Sequence, residues 1–518
     1  MAKIAISLSG GGYRAATYHL GTLSYLNHLH TSDGRSLLDH ISAVSTISGG
    51  TLSGLMFLWG KCKGLTNEEM LQDLYSLLMK GDLIGRASTE FLCGENLNNS
   101  LIREMVRIYD EEIFHGATLG DLMDKIDNTT IDDFTANATD FNNSQEFLFQ
   151  IGKEIKIEKG ETAKGVIGNS SYKIPLPIAS QIHLSEVFAA SSCFPAGFEP
   201  LFFPRDFQLS RSPENEEYLK TVPTMPLMDG GVVDNQGIEP IVMLRRRKDL
   251  DLYIVSDATR GQKDPYDYKE SSILDYLTVH KVNVTLNIII LFLIQFLFWV
   301  PRGTLFGFFL GLTFIFLVFR LATALSSRKL LKRYSKQIPF RFNWKGLLNI
   351  PLSKYINLIG SRASSMLELT DKVFMDHIRS LNYYTIYSDV KWQNRRIMSA
   401  LYELATGEVW GKHLKEDERA FMNPGDEINK AADTATRMGT TLWWSDEDIK
   451  EGKPEALIAT GQFNICWNLL EYIYRLRRNN SNLNENHQAI IDLLPQLEED
   501  WEKFKKDPYW MTKIFQKG

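Results

Sequence analysis

Ile41-Ser-Ala-Val-Ser-Thr-Ile-Ser48-Gly-Gly-Thr-Leu-Ser-Gly54 holds the pattern around which the chain is organised. A short apolar run ends at Ser48, two glycines follow, and a helix-compatible run from Thr51 to Trp59 takes over. That is the sequence form of a strand, a sharp turn and a helix, with a serine at the apex beside the positive end of the helix. The glycines carry no Cβ, so a substrate carbonyl could approach closely. Ser-Gly-Gly is also common in ordinary loops, and Thr46 stands at the first position of the Gly-x-Ser-x-Gly pattern. The weight of the motif therefore comes from its surroundings.

Upstream, Ile4-Ala-Ile-Ser-Leu-Ser9 predicts a buried strand. Ser9-Gly-Gly-Gly12-Tyr-Arg14 then predicts a glycine loop opening a helix that reaches about His30. Backbone N–H groups at such a helix start can hold a phosphate or a developing oxyanion. The loop lacks the Gly-Lys-Ser/Thr ending of a nucleotide loop and has no Gly-x-Gly-x-x-Gly spacing, which disfavours nucleotide binding. Strand, glycine loop, helix, strand and serine turn together predict an α/β domain with a parallel sheet covered by helices. Met1-Ala-Lys leads straight into the first strand, so the expectation is a domain that begins almost at residue one and stays in the cytoplasm.

The 518 residues carry 57 basic and 63 acidic side chains, a formal charge of −6, which implies no nucleic-acid partner. The 4 cysteines, Cys62, Cys93, Cys193 and Cys466, form no Cys-x-x-Cys pair and read as reduced structural thiols. The 10 histidines include no His-Glu-x-x-His or similar cluster, so neither a metal nor an organic cofactor is expected.

Residues 65–135 alternate short helical segments with polar loops and show no chemical motif. Glu146-Phe-Leu-Phe-Gln-Ile151 predicts a strand, and Ile182-His-Leu184 another, with His183 read as a packed strand residue rather than a base. Pro226-Leu-Met-Asp229-Gly-Gly presents a carboxylate on a tight turn. Asp-Gly turns are frequent for backbone reasons alone. A desolvated carboxylate, however, can also take the proton of an attacking serine.

Taken together, these blocks resemble the patatin-like phospholipases, serine lipid-acyl hydrolases that use a Ser–Asp dyad. The matching stretches, in family order, are Leu8-Ser-Gly-Gly-Gly-Tyr-Arg14, Ser48-Gly-Gly, Ala189-Ala-Ser-Ser-Cys-Phe-Pro195 and Asp229-Gly-Gly. Ala138-Thr-Asp-Phe-Asn142 also looks like the family's mid-domain strand and turn. The resemblance implies Ser48 as nucleophile, Asp229 as general base, the N–H groups of Gly10, Gly11 and Gly12 as oxyanion hole, and Arg14 as support for that loop. Thr46, and Ala15 after Arg14, are departures from the usual glycines. A lipid-binding protein without turnover and an acyltransferase using the same acyl-enzyme remain alternatives.

After Leu252-Tyr-Ile-Val-Ser256, a late strand, the composition changes. Val284 to Val300 and Thr304 to Phe319 are apolar runs around Pro301-Arg-Gly303, each near the lower limit of roughly 17 residues for a spanning helix. Phe and Trp on every helical face predict a transmembrane hairpin rather than a covering helix pair, and the short runs leave open a re-entrant hairpin held in one leaflet. No acidic residue lies between Asp275 and Glu368, while Arg328, Lys329, Lys332, Arg333 and Lys336 cluster after the hairpin. That cluster predicts cytoplasmic flanks and contact with anionic lipid. Gly303, Gly307 and Gly311 make a smooth stripe expected to pack against the first hairpin helix or a second copy of the chain.

The expected organisation is a catalytic domain over residues 1–280, the hairpin over 284–320, a basic segment over 321–345, and a helical region over 346–518 that completes or flanks the catalytic domain. Within that last region Lys354 to Leu381, Trp392 to Thr406 and Ala456 to Arg477 carry amphipathic spacing, and Glu485 to Phe504 predicts a charged last helix. Trp443-Trp-Ser-Asp-Glu-Asp448 reads as a packed helix end.

Overall fold

Ile4–Leu8 (β1) and Ile41–Ile47 (β2) are buried along their whole length, as strands covered on both faces must be. The computed structural model that shows this describes residues 3–79, 83–93, 100–157, 161–195, 197–210, 212–245, 250–259, 278–334, 365–366, 368–405, 414–441, 444–478 and 485–517. The chain divides into two units, residues 1–263 with 370–518, and residues 264–369.

The first unit is built on one sheet. Its other strands are Asp133–Asp140 (β3), Gln145–Lys156 (β4), Thr162–Gly168 (β5), Lys173–Ile174 (β6), Leu201–Phe203 (β7), Met225–Asp229 (β8), Leu252–Asp257 (β9) and Arg396–Ala400 (β10). The order is β10-β9-β1-β2-β3-β4-β5-β6, with β8 pairing β3 and β7. The central run β10-β9-β1-β2-β3 is parallel, and β4, β5, β6, β7 and β8 extend it by antiparallel pairing. Helices Gly12–His28 (α1), Gly49–Cys62 (α2) and Leu184–Ser192 (α3) cover it and are themselves almost wholly buried.

One edge of β3 is shared by two strands. β2 runs parallel along it until Ile47 stands opposite Asn137. β8 arrives antiparallel from the other end until Asp229 stands opposite Ala138. The two strands thus meet C-terminus to C-terminus, and this places Ser48 and Asp229 side by side. The Ala138-Thr-Asp-Phe-Asn142 block closes the strand, with the Asn142 and Asn143 N–H groups donating to Asp140 Oδ1 at 3.0 and 3.2 Å.

The second unit contains Val279–Leu297 (α4) and Thr304–Tyr334 (α5), which pack together through Phe296 and Phe309, ring centroids 4.9 Å apart. Thr304–Leu321 is long and apolar enough to cross a bilayer, with a mean hydropathy of 2.1, and 6% of it is buried. The apolar stretch of its neighbour, Asn283–Leu297, is shorter. Among the described residues nothing lies within 4 Å of where a Cβ would stand on Gly307 or Gly311, so these two glycines do not form the seam between α4 and α5. The basic cluster falls on the last turns of α5, except Lys336, which lies outside the described residues.

Beyond residue 369 the chain returns to the first unit as Met375–Ser388 (α6), β10 and Lys453–Arg478 (α7). α7 crosses α1 backbone to backbone. A Cβ on Gly21 would sit 2.1 Å from Ile458 O, and one on Gly461 would sit 2.2 Å from Tyr18 O. Such an approach is open only to glycine and brings the C-terminal core directly onto the helix that carries the glycine loop.

Three sequence expectations are corrected here. The window from Trp392 to Thr406 contains the strand Arg396–Ala400, not a helix, because it adds to the free side of β9, with Ile397 and Ser399 turned inward. Propensity yields to that pairing. Ile182-His-Leu184 is no strand: His183 is the N-cap residue of α3, its N–H donating to Glu186 Oε2 at 2.8 Å. The last helix is two, Glu485–Ile491 and Leu494–Lys506, because Pro495 belongs in a first turn and not in a helix interior. Of Lys354 to Leu381, residues 354–364 and 367 lie outside the described residues, and the rest is helical from Leu369 onward, through Leu369–Phe374 and into α6. Trp444 is packed as expected, its Nε1–H donating to Leu78 O at 2.8 Å.

Candidate active site

Ser48 sits at the junction of β2 and α2 with φ 50 and ψ −121, a backbone conformation that a serine adopts only under constraint. The constraint is visible. A Cβ on Gly49 would sit 2.1 Å from Gly12 O, and one on Gly50 would sit 2.2 Å from Leu8 O. Both glycines therefore let the elbow press against the end of β1 and its loop. The Ser48 N–H donates to Ser191 Oγ at 2.9 Å, and that hydroxyl donates onward to Asn137 O at 2.7 Å.

Thr46 is accommodated rather than disruptive. It is fully buried, its hydroxyl donates to Thr135 O at 3.2 Å, and its Cγ2 lies 2.3 Å from where a Cβ on Gly54 would be. The space that the usual glycine supplies on the strand is supplied here by Gly54 on the facing helix.

Asp229 is 3% exposed and accepts the Gly231 N–H on Oδ1 at 2.7 Å. Burial pushes its carboxyl up to about 6, while the Gly231 N–H and the neighbouring Ser48 hydroxyl hold it from going higher. A base that is ionised near neutrality yet has gained proton affinity suits general-base work. Its backbone is gripped from α3: the Asp229 N–H donates to Cys193 O at 3.1 Å and the Gly230 N–H to Ser191 O at 3.3 Å. Ser191 therefore reaches Ser48 through its side chain and the turn after Asp229 through its carbonyl.

The glycine loop lies against this pair. The Gly10 N–H is already donated to Asn235 O at 3.0 Å, so it is not available to an oxyanion. The N–H groups of Gly11 and Gly12 have no acceptor among the described residues. Arg14 is 6% exposed and its Nη1–H donates to Met438 O at 3.2 Å, while the Tyr13 N–H donates to Thr441 O at 2.7 Å. The C-terminal part of the chain thus holds the loop from outside. From inside, His19 bridges Ser9 O at 2.9 Å and Ser256 Oγ at 2.8 Å, and burial lowers it to about 4, so it stays neutral.

Ser48, Asp229, Gly10, Gly11, Gly12 and Arg14 all line one cavity of ≈ 320 Å³. Phe194, Phe198 and Met375 give it an apolar side, and Gln236, Thr259 and Arg379 a polar one. Among the described residues no cluster of side chains could hold a metal ion. Sequence reasoning missed Ser191, His19, Asn235 and Arg379. Ser191 stood inside a block that had been singled out, and Asn235 stood six residues past Asp229, but their roles depend on distant contacts that spacing does not reveal.

Residues 6–242 match the family described as patatin-like phospholipase. No curated protein matches the chain. A solved structure of human GIVD cytosolic phospholipase A2 is similar at 13% identity and a TM-score of 0.30, covering 49% of this chain and 45% of that one. Another, of the same human protein in complex with methyl gamma-linolenyl fluorophosphonate, is similar at 12% identity and a TM-score of 0.38, covering 97% of this chain and 60% of that one. The chain thus spans less than two thirds of those solved chains.

Two outcomes follow from the geometry. A general base acts only when ionised, and the folded value of Asp229 is raised to about 6. Ester hydrolysis by the protein should therefore lose kcat/KM as pH falls through about 6 and reach a plateau above it, and a pH–rate profile flat across that range contradicts the assignment. Ser191→Ala leaves the strained Ser48 N–H without its acceptor. It should lower kcat by about tenfold or more while KM moves little, because the loss falls on nucleophile geometry rather than substrate contacts. An unchanged kcat in the folded variant removes that role.

Proposed function

We propose that the protein hydrolyses acyl esters of membrane lipids through an acyl-Ser48 intermediate, with Asp229 as general base, a reading supported by the match of residues 6–242 to the family described as patatin-like phospholipase. The single observation that carries this reading is the meeting of β2 and β8 on one edge of β3, which sets a strained serine against a desolvated carboxylate.

In the first half-reaction Ser48 Oγ attacks the acyl carbonyl as its proton passes to Asp229. The N–H groups of Gly11 and Gly12 take the negative charge that develops on the carbonyl oxygen. Collapse of the tetrahedral intermediate breaks the ester bond, and Asp229 returns the proton to the departing alcohol. In the second half-reaction Asp229 takes a proton from water, whose oxygen attacks the acyl-Ser48 carbonyl, and collapse breaks the acyl–Oγ bond as Asp229 returns that proton to Ser48 Oγ and the fatty acid leaves. Two groups suffice because the buried carboxylate accepts the proton directly, without a histidine between.

The proposal extends to the second unit. α4 and α5 form a membrane hairpin that keeps the enzyme beside its substrate, supported by the length and apolarity of Thr304–Leu321. Apolar residues such as Phe292, Phe298 and Trp299 stand exposed, at 69%, 86% and 82%. Both flanks lie in the cytoplasm, and the cluster Arg328, Lys329, Lys332, Arg333 and Lys336 meets anionic headgroups. The open face at Gly303, Gly307 and Gly311 is left for a second copy of the chain.

Ser48→Ala should abolish release of fatty acid from mixed phospholipid vesicles while leaving thermal unfolding in place, and turnover retained in that variant overturns the nucleophile assignment. The full-length protein should resist high salt and alkaline carbonate and leave native membranes only with detergent. Release by carbonate alone overturns the anchor and leaves the chemistry untouched.

A further inference from the structure

The Asn235 carbonyl accepts the Gly10 N–H, but its side chain has no such task. It is half-buried on the cavity wall, and among the described residues no group hydrogen-bonds its amide. Unlike Gln236 beside it, whose amide atoms are sealed from solvent, the Asn235 amide stays open to the cavity. Two glycines set its position. Asn235 Oδ1 lies 2.4 Å from where a Cβ on Gly10 would stand, and Ser48 Cβ lies 3.3 Å from the same point. Oδ1 also lies 2.6 Å from where a Cβ on Gly231 would stand, with Asp229 Oδ1 at 3.0 Å and Met375 Cε at 3.2 Å from that second point. The missing Cβ of Gly231 thus leaves a small space bounded by the two oxygens and a methyl group, next to Ser48.

An amide oxygen and a carboxylate oxygen are both acceptors and cannot bond one another. A molecule that serves both from one atom must carry two hydrogens on that atom. In the free protein the Ser48 hydroxyl donates to the Asp229 carboxylate. Once Ser48 Oγ carries an acyl group it has no hydrogen left to give, and Asp229 takes its next donor from the cavity. Water, with two hydrogens, meets both acceptors.

We propose that Asn235 is a further catalytic residue, one that orients the hydrolytic water of the second half-reaction: its Oδ1 accepts one hydrogen of the water while Asp229 accepts the other. The inference rests on the reading of Ser48 as nucleophile and Asp229 as general base. Held by both hydrogens, the water turns a lone pair toward the acyl carbon. As its oxygen bonds to that carbon, the O–H bond facing Asp229 breaks and the proton passes to the carboxylate. The O–H bond facing Asn235 stays intact and becomes the hydroxyl of the fatty acid. Asp229 then hands its proton to Ser48 Oγ as the acyl–Oγ bond breaks. The first half-reaction uses no water, so the amide bears on deacylation.

Methanol separates this role from a structural one, because its oxygen has one hydrogen for Asp229 and none for Asn235. The full-length protein in detergent micelles is given 4-nitrophenyl octanoate in buffer containing methanol, and octanoic acid and methyl octanoate are measured as products. In Asn235→Ala and Asn235→Leu the ratio of methyl octanoate to octanoic acid should rise by about tenfold or more over native. Without methanol, intact-protein mass spectra of both variants should show the octanoyl group accumulating on Ser48. Asn235→Asp keeps an acceptor oxygen in place, and on the alkaline plateau its product ratio should stay within about threefold of native. An amide that only supports the fold would slow hydrolysis and methanolysis together. A product ratio within about threefold of native in the folded alanine and leucine variants therefore overturns the proposal, as does an equal rise in Asn235→Asp. Failure of the native protein to form any octanoyl ester on Ser48 would strike the proposed function instead.

Discussion

Backbone hydrogen bonding along one edge of β3 sets where the chemistry can happen. β2 takes that edge as far as Asn137 and β8 takes it from Ala138 onward, so the sheet's own register fixes how far Ser48 stands from Asp229. Neither residue is held by a flexible loop. A register slip of one residue in either strand would turn its side chains to the opposite face and dissolve the pair. The glycines after Ser48 follow from the same constraint, because the elbow has to turn off β2 directly against the end of β1.

The C-terminal end of α3 works on both partners at once. Ser191 accepts the Ser48 N–H on its hydroxyl and the Gly230 N–H on its carbonyl, and Cys193 O accepts the Asp229 N–H. These bonds satisfy backbone donors at the two places where the strands stop and the sheet no longer does so. The strain at Ser48 is sustained by this surrounding network, as strain at a functional site has to be. The glycine loop is held in the same manner by distant parts of the chain, with His19 and Ser256 on one side and Met438 and Thr441 on the other. The second half of the chain is therefore structural to the site, through α7 crossing α1 and through α6 supplying cavity wall.

Much of this was legible locally. The strands ending at Ser9 and Ser48, the glycine loop, the turn after Asp229 and the late strand at Leu252 all carry short-range signals, and each has its place in the structure. What could not be read was whatever depends on a partner far along the chain. β10 looks helical in isolation because a short edge strand has one buried row and no turn signal of its own. The Gly10 N–H looks free until Asn235 O is found on it. Thr46 looks like a defect until Gly54 is seen facing it. His19, in a helical run with no motif around it, is a buried brace between β9 and the glycine loop.

The central claim is that Ser48 and Asp229 act together on an ester. The most direct measurement is intact-protein mass spectrometry after rapid mixing with a slowly deacylating activated ester, followed by peptide mapping. The account predicts one acyl group per chain, borne by the peptide containing Ser48 and absent when Asp229 is replaced by asparagine. Acylation mapped to another residue, or acylation of Ser48 at the native rate without the Asp229 carboxylate, would contradict it.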